Sequence, residues 1–265
     1  MKQVFPLSIA QITDIHLFAN EDQKLLGVPT MESLGAVIEY LQMHEQELDL
    51  LLLTGDLSGD GESESYENLR NLLSPLQIPT YCLPGNHDHA IAMSEFLSFG
   101  LISQRKSFER GGWNFILLDS SVPGKVHGHL SQETLFWLDS QLKATKDIPT
   151  LIALHHPPFL VNSSWLDSSR LQNPEELFAV LDAYPKVKLV LFGHIHQEFE
   201  KHRQGVGYLG TPSTCIQFQP GSQDFTLDPI YPGFRLLKLH GNGTWETSVP
   251  RVAFEQTLEL TALGY

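Results

Sequence analysis

The 265-residue chain has little cysteine and no long apolar run, and each shortage excludes a class of protein. Its two cysteines, Cys82 and Cys215, are far apart, lie in apolar surroundings and lack the spacing of a zinc site. Such a pair predicts reduced thiols and a cytoplasmic protein rather than a disulfide-stabilised secreted one. The longest apolar stretches, such as 50–53 and 189–192, are too short to span a membrane, so no membrane partner is expected.

Basic residues are also scarce, since 17 lysines and arginines face 31 acidic residues and the formal net charge is −14. The basic residues are scattered, whereas binding to a nucleic-acid backbone needs clusters of lysine and arginine. We therefore expect no nucleic-acid partner, and we interpret the acidic balance as favouring solubility. An anionic substrate would need a local source of positive charge, which bound divalent metal ions could supply.

The N-terminus reads as a first strand rather than a signal peptide, because Pro6, Ser8 and Gln11 interrupt its apolar stretch before Asp14. Apolar runs then alternate with stretches of helical periodicity, and the last quarter is rich in strands. Strands are expected at 7–12, 49–53, 79–83, 114–118, 150–154, 187–192, 206–209, 234–239 and 245–249. Helices are expected at 31–43 after an N-cap at Thr30, at 64–73, from Ser131 to about 142, and at 174–183.

This pattern predicts an α/β protein in which two sheets pack together with helices outside. No linker or internal repeat divides the chain, so residues 1–265 are expected to form one domain with a β-rich C-terminal part. A long irregular loop is expected around 212–233, and loops of that length are often functional.

Five short motifs of potential metal ligands each follow a strand-like run. They are Asp14-Ile15-His16, Gly55-Asp56, Gly85-Asn86-His87-Asp88, His155-His156 and Gly193-His194-Ile195-His196. A strand end can hold a carboxylate or an imidazole rigidly while its tip stays open to a ligand. Each motif alone is weak, but five in series predict a preformed pocket for metal on one edge of a sheet.

The residue types in these motifs favour a pair of metal ions. Carboxylate, imidazole and amide groups without thiolates suit Mn, Fe, Co or Zn rather than Cu(I) or an iron–sulfur cluster. One aspartate can bridge two ions, and a neutral asparagine ligand leaves an ion more Lewis-acidic. Two ions about 3.5–4 Å apart can share a hydroxide and clamp a phosphoryl group during in-line attack.

The motif series resembles that of the calcineurin-like metallophosphoesterases. Within them the chain is similar to the class III cyclic-nucleotide phosphodiesterases, in particular the bacterial enzymes that hydrolyse 3′,5′-cyclic AMP. The resemblance extends beyond the metal motifs to Leu25-Leu26-Gly27-Val28, Ser164-Trp165-Leu166-Asp167, Gln197-Glu198, Thr211-Pro212-Ser213-Thr214-Cys215, Phe225-Thr226-Leu227-Asp228 and the final Gly264-Tyr265. It implies a four-layer αββα sandwich of two mixed β-sheets flanked by helices.

The resemblance also implies a role for each residue of the motifs. Asp14, His16 and His196 would bind the first metal, Asn86, His155 and His194 the second, and Asp56 would bridge both. The ions would be Fe or Mn, with Zn, Co or Mg as alternatives. The nucleotide would contact His16, Asp56, Asn86, His87 and His196.

His87 and Asp88 are the candidate catalytic residues. His87 would stay unligated beside the phosphate, where it stabilises the developing charge or protonates the leaving oxygen. Asp88 would either hydrogen-bond His87 and set its tautomer or cap the turn, and the sequence leaves both open. The resemblance favours His155 as the ligand of its pair, which leaves His156 as a structural histidine.

The expected reaction is hydrolysis of 3′,5′-cyclic AMP to 5′-AMP by a metal-bound hydroxide, in a monomer or homodimer. A glycerophosphodiester or a nucleotide-sugar pyrophosphate is an alternative substrate, because the metal site recognises only phosphate. A metal-free binding scaffold on the same fold is a third hypothesis. Two related classes of phosphatase are not expected. Gly59 stands where purple acid phosphatases have a metal-binding tyrosine, and Gly59-Asp60 stands where Ser/Thr protein phosphatases have an Asp-Arg pair.

For the base, two candidates stand out. Trp165 follows the His155 strand and could line the pocket, and the segment 211–218 could contact the base or form a structural bend.

Overall fold

A computed structural model describes residues 6–44, 47–145 and 147–264 of the chain. The strands of the described part are β1 Leu7–Ile12, β2 Lys24–Leu25, β3 Val28–Pro29, β4 Leu50–Thr54, β5 Thr80–Leu83, β6 Ile102–Ser103, β7 Ser107–Arg110, β8 Trp113–Leu117, β9 Thr150–Ala153, β10 Val187–Phe192, β11 Phe199–Arg203, β12 Val206–Gly210, β13 Gln217–Phe218, β14 Leu227–Asp228, β15 Arg235–Leu239 and β16 Trp245–Ser248. The α-helices are α1 Thr30–His44, α2 Ser63–Leu73, α3 Ala90–Phe96, α4 Gln132–Ala144, α5 Ser164–Asp167 and α6 Pro174–Leu181.

Two mixed six-stranded sheets form the centre of the fold. The first has the order β16-β15-β1-β4-β5-β6, and the second has the order β11-β12-β10-β9-β8-β7. In the first sheet β1, β4 and β5 run parallel, and in the second β8, β9, β10 and β12 run parallel. In the first sheet, β15 pairs antiparallel with both β1 and β16. In the second sheet, the two edge strands, β11 and β7, each pair antiparallel with their neighbour.

Three buried clusters show that the sheets and helices stack in four layers. The cluster between the sheets joins Ile9 and Leu52 of the first sheet to Phe115 and Leu191 of the second. On the other face of the first sheet, side chains of β1 and β4 pack against α1 and α2. On the other face of the second sheet, side chains of β8, β9 and β10 pack against α4 and α6. The predicted αββα sandwich of two mixed sheets is therefore confirmed.

The expected strands and helices are present, with ends shifted by a residue or two. Ser131 caps α4, since its side chain accepts a hydrogen bond from the Thr134 amide. Thr30 is the first residue of α1 rather than its cap. The expected loop at 212–233 contains the short hairpin of β13 and β14. Tyr265 lies outside the described residues.

The polar motifs follow the carboxyl ends of five strands, which belong to two sheets rather than to one edge of a single sheet as the sequence predicted. Strands β1, β4 and β5 are neighbours in the first sheet, and β9 and β10 are neighbours in the second. Strands β4 and β10 end directly before their motifs, and one residue separates β1, β5 and β9 from theirs. None of the helices in the described part of the chain is long and apolar enough to cross a membrane.

Candidate metal centre

The five motifs meet where the two sheets face each other. The Asp14 amide donates to the Gly55 carbonyl at 3.0 Å, which joins the loops after β1 and β4. The His194 amide donates to both carboxylate oxygens of Asp14, at 3.0 and 2.9 Å, which joins the loop after β10 to the first sheet. These contacts fix the motifs relative to one another through the backbone.

Asp14, His16 and His196 form one buried group of potential ligands. Nε2 of His196 lies 3.3 Å from Oδ1 of Asp14 and 3.3 Å from Nε2 of His16. Nδ1 of His196 lies 2.9 Å from the Ile216 carbonyl. Because a carbonyl only accepts, this contact puts the proton on Nδ1 and leaves the Nε2 lone pair for a metal ion.

His155 and His194 form a second group on the side of the other sheet. Nε2 of His155 lies 3.3 Å from Nδ1 of His194. Nδ1 of His155 donates to the Thr54 carbonyl at 2.9 Å, so Nε2 is the nitrogen that faces the centre. The third predicted ligand of this group is Asn86, whose side-chain oxygen is buried and has no hydrogen-bond partner.

Asp56 lies between the two groups. Its Oδ2 atom is 3.2 Å from Nε2 of His155 and 3.8 Å from Nε2 of His16. Its Oδ1 atom accepts a hydrogen bond from the His87 amide at 2.9 Å. The carboxylate thus faces one histidine of each group, as a bridging ligand must.

The donor set fits divalent metal ions. Ligand atoms bound to one ion at ~2.1 Å stand about 3.0–3.4 Å apart in octahedral or tetrahedral geometry. Several pairs of potential ligand atoms here lie 3.2 to 3.3 Å apart, within this range. The unpartnered oxygen of Asn86 is a second sign, since buried polar atoms normally have partners.

The backbone at the centre is strained. Five of the predicted ligands have a positive φ between 49° and 70°, a region that residues other than glycine rarely adopt: Asp14, His16, Asp56, His194 and His196. Such strain costs about 1–3 kcal/mol per residue and concentrates at functional sites. The fold therefore holds these five side chains in place at the expense of local stability.

Two glycines leave the space that the ligands occupy. A Cβ atom on Gly85 would lie 2.2 Å from Oδ1 of Asp56, and one on Gly193 would lie 2.6 Å from Oδ2 of Asp14. Both distances are far below van der Waals contact, so larger residues at these positions would displace the carboxylates.

Burial and charge pairing set the protonation of the buried groups. Burial lowers the pKa of His16 and of His194 well below the usual range, which keeps both imidazoles neutral. Burial also opposes charge on His155 and Asp56, but each group stabilises the charged form of the other. The pKa of His155 rises to about 9, and that of Asp56 falls well below its usual range. A metal ion bound to His155 would displace this proton.

His156 has the structural role predicted for it. Its Nδ1 lies 2.8 Å from the Ser120 hydroxyl, and its Nε2 donates to the Val126 carbonyl at 3.0 Å. Burial lowers its pKa to about 3, so the ring is neutral. One of its nitrogens lies within 4.8 Å of ligand atoms of His155 and His194, but both nitrogens are engaged by Ser120 and Val126.

The contacts of Asp88 favour the turn-cap alternative. Its carboxylate accepts hydrogen bonds from the amides of Leu57, Ser58 and Gly85 and from the Tyr66 hydroxyl. These contacts tie the loop that carries Asp56 to the loop that carries Asn86 and His87. These contacts therefore support a role for Asp88 in fixing the two loops, and whether it also acts through His87 stays a prediction.

His87 lies at the mouth of the centre. Its ring packs edge-on against His16, with centroids 4.9 Å apart, and it lines a cavity together with Asn86 and His194. Trp165 lies in the wall of the same cavity, as the sequence suggested. Ser169, whose hydroxyl lies 2.8 Å from Nε2 of His194, was missed. No sequence signal marks a lone serine in a loop.

The chain belongs to the calcineurin-like phosphoesterase family, whose profile matches residues 7–198. Among curated proteins, it is 60% identical over 261 residues to a 3′,5′-cyclic-nucleotide phosphodiesterase of Nostoc sp., with 98% of each chain covered. It is 45% identical over 246 residues to the 3′,5′-cyclic adenosine monophosphate phosphodiesterase CpdA of Escherichia coli K12, with 92% of this chain and 90% of that protein covered.

Solved structures show the same fold at low sequence identity. A dimetal phosphatase from Danio rerio superposes with a TM-score of 0.65 at 14% identity and covers 94% of this chain and 100% of that chain. A purple acid phosphatase from yellow lupin gives a TM-score of 0.67 at 13% identity, with 94% of this chain and 52% of that chain covered.

Proposed function

We propose that this chain hydrolyses 3′,5′-cyclic AMP to 5′-AMP at a centre of two divalent metal ions. The observation that carries the proposal is the position of Asp56, whose Oδ2 faces a histidine from each of two buried ligand groups. The relatives at 60% and 45% identity are named as cyclic-nucleotide phosphodiesterases, which supports the substrate.

The proposed ligands divide between the two sheets and their loops. One ion would be held by Asp14, His16 and His196, the other by Asn86, His155 and His194, and Asp56 would bridge them. Fe or Mn is the favoured metal. A cytoplasmic location of the protein is a separate prediction. When bound, the ions supply a hydroxide nucleophile at neutral pH and neutralise charge on the phosphate.

The residues of the chain orient the phosphate and manage the proton of the leaving group. The hydrogen bond from the His87 amide to Asp56 holds the bridging carboxylate in register with the third motif. The His87 ring lines the adjoining cavity. From there its N–H would stabilise charge on the phosphate and transfer a proton to the 3′ oxygen as the P–O bond breaks.

The C-terminal strands support the proposal that the whole chain acts as one domain. Strands β11 and β12 form one edge of the second sheet, and β15 and β16 form one edge of the first. The family match ends at residue 198, but neither sheet is complete without the strands that follow it.

The test is a hydrolysis assay with cyclic AMP in the presence of Mn²⁺ or Fe²⁺, with 5′-AMP as the product to be identified. Asn86→Ala should remove turnover while the far-ultraviolet circular dichroism spectrum stays unchanged. Asn71→Ala, at an exposed position, serves as the matched control. Failure of the wild-type protein to turn over cyclic AMP with any divalent ion would contradict the proposal. Faster turnover of a glycerophosphodiester or of a nucleotide-sugar pyrophosphate would assign a different substrate.

A further inference from the structure

A cavity of about 380 Å³ adjoins the metal centre. Three of its lining residues, Asn86, His87 and His194, belong to the motifs of the centre. The rest of its wall is largely apolar, and it includes Trp165, Leu166, Phe218 and Phe225. A ligand whose phosphate lies at the centre would extend its remaining part into this cavity.

Three aromatic rings give the cavity its character. The ring of Trp165 lies 4.8 Å from that of Phe218 and 5.0 Å from that of Phe225, and Phe218 and Phe225 are 5.6 Å apart. All three pairs meet steeply, at 65° to 78°. At these distances the rings contact one another edge to face and form one aromatic wall of the cavity. This wall and the rest of the cavity lining bound a slot, in which a flat ligand ring can stack on the wall.

Hydrogen bonds between distant segments hold the slot together. The loop between β13 and β14 contacts α5 through Trp165 Nε1, which donates to the Ser222 hydroxyl at 3.2 Å. The Ser164 amide donates to the Ser222 carbonyl at 3.2 Å, and the Gly221 amide donates to the Ser163 hydroxyl at 3.0 Å. Trp165 is thus fixed to the loop that carries Phe225, and the two rings do not lie on independent loops.

Phe218 joins the slot directly to the metal centre. Its ring stacks on the imidazole of His196, with centroids 4.1 Å apart and planes 16° apart. His196 is a proposed metal ligand, so the aromatic rings begin next to the centre, one side chain away from it. A nucleotide likewise has only its ribose between the phosphate and the base.

We propose that Trp165, Phe218 and Phe225 form the slot that binds the base of the cyclic nucleotide. This inference rests on the proposed function and adds to it the residues that select the base. An apolar, aromatic slot recognises a base by stacking area, and stacking on aromatic side chains tolerates differences in base edges. A purine, which offers two fused rings, should therefore bind better than a pyrimidine.

Kinetics with and without the base test the slot. Trp165→Ala and Phe225→Ala should each lower kcat/KM for cyclic AMP by about tenfold or more, the size expected for lost base stacking. The loss should be much smaller for the 3′,5′-cyclic phosphate of methyl riboside, which has no base. Phe99→Ala, at an exposed position away from the cavity, is the control and should leave both values unchanged. Equal losses for both substrates, or equal wild-type kcat/KM for cyclic AMP and cyclic UMP, would overturn the slot.

A binding measurement separates failure of the slot from failure of the proposed function. Adenosine has no phosphate, so its binding reports on the slot alone, and it should change the fluorescence of wild-type protein through Trp165. The conservative Trp165→Phe should retain binding of adenosine by calorimetry while losing that fluorescence change. If adenosine does not bind but cyclic AMP is hydrolysed, the slot is wrong and the proposed function stands. If adenosine binds but cyclic AMP is not hydrolysed, the slot stands and the proposed function is wrong.

Discussion

Nε2 of His155 lies 3.2 Å from Oδ2 of Asp56, and both side chains are buried. His155 follows a strand of the second sheet and Asp56 follows a strand of the first, so this contact joins the two halves of the sandwich. Oδ2 also lies 3.8 Å from Nε2 of His16. One carboxylate oxygen therefore faces both ligand groups, and the proposed two-metal centre would depend on Asp56.

Replacement of this carboxylate should separate the two ions. Asp56→Asn keeps the size of the side chain but removes its charge, so metal content should fall and cyclic AMP turnover should decrease by about 100-fold or more. Elemental analysis and a turnover assay measure both quantities. The exposed Asp22→Asn is the matched control and should retain both. Full metal content and activity in Asp56→Asn would remove Asp56 from the centre.

A single added methyl group at Gly85 should disturb the same carboxylate. A Cβ atom there would lie 2.2 Å from Oδ1 and 2.4 Å from the amide nitrogen of Asp56, so Gly85→Ala must shift the loop. We expect loss of metal binding, measured by titration calorimetry. Gly35→Ala in α1 is the control, because nothing lies within 4 Å of its Cβ position. That control should change the free energy of unfolding by no more than about 1 kcal/mol, in the stabilising direction.

Asp88 offers a test between its two candidate roles. Asp88→Ala would leave the buried amides of Leu57, Ser58 and Gly85 without their acceptor, so the free energy of unfolding should fall by about 3 kcal/mol or more. Chemical denaturation measures this change, and metal content should fall with it. A variant with wild-type stability and metal content but lower kcat would instead show that Asp88 acts through His87.

The two cysteines should be inert in the folded protein. Both are buried, and burial raises the pKa of Cys215 to about 12 and raises that of Cys82 as well, so neither forms a thiolate near neutral pH. A thiol reagent should label neither residue in native protein and both after unfolding in guanidinium. Rapid labelling of the native protein would show that one of the two regions opens in solution.

Much of the fold follows from the sequence because its strands are apolar and its polar motifs follow them directly. The exposed edge strand β11 was not predicted, since Glu200, Lys201 and His202 give it no apolar pattern. It forms because β12 offers an antiparallel edge. The short strand β7 at the opposite edge was missed for a similar reason, since most of its residues are not buried.

Candidate ligands could be named from the sequence, but their geometry could not be predicted from it. Nothing near Asp14 in the sequence signals a positive φ, because the strain is imposed by contacts with Gly55 and His194 from distant segments. The slot is harder still to predict, because Trp165 and Phe225 come from distant segments that contacts between α5 and the β13–β14 loop bring together. A resemblance can point to such segments without showing which side chains face the ligand.

His87 should affect the chemical step without affecting metal binding. Its ring lines the cavity and, in the proposed assignment, is not a ligand, so His87→Gln should lower kcat by about 10²–10⁴-fold, the contribution of a general acid. Metal content should stay at the wild-type value. The exposed His202→Gln is the control for histidine replacement and should keep full activity. Loss of metal from His87→Gln would place His87 among the ligands instead.

We propose that two ions, bridged by Asp56, carry out the hydrolysis. Titration of chelator-treated protein with Mn²⁺, in which bound metal and cyclic AMP turnover are followed together, tests this directly. We expect two bound ions per chain and turnover that rises with the second ion. Full turnover with one bound ion, or without any, would contradict it.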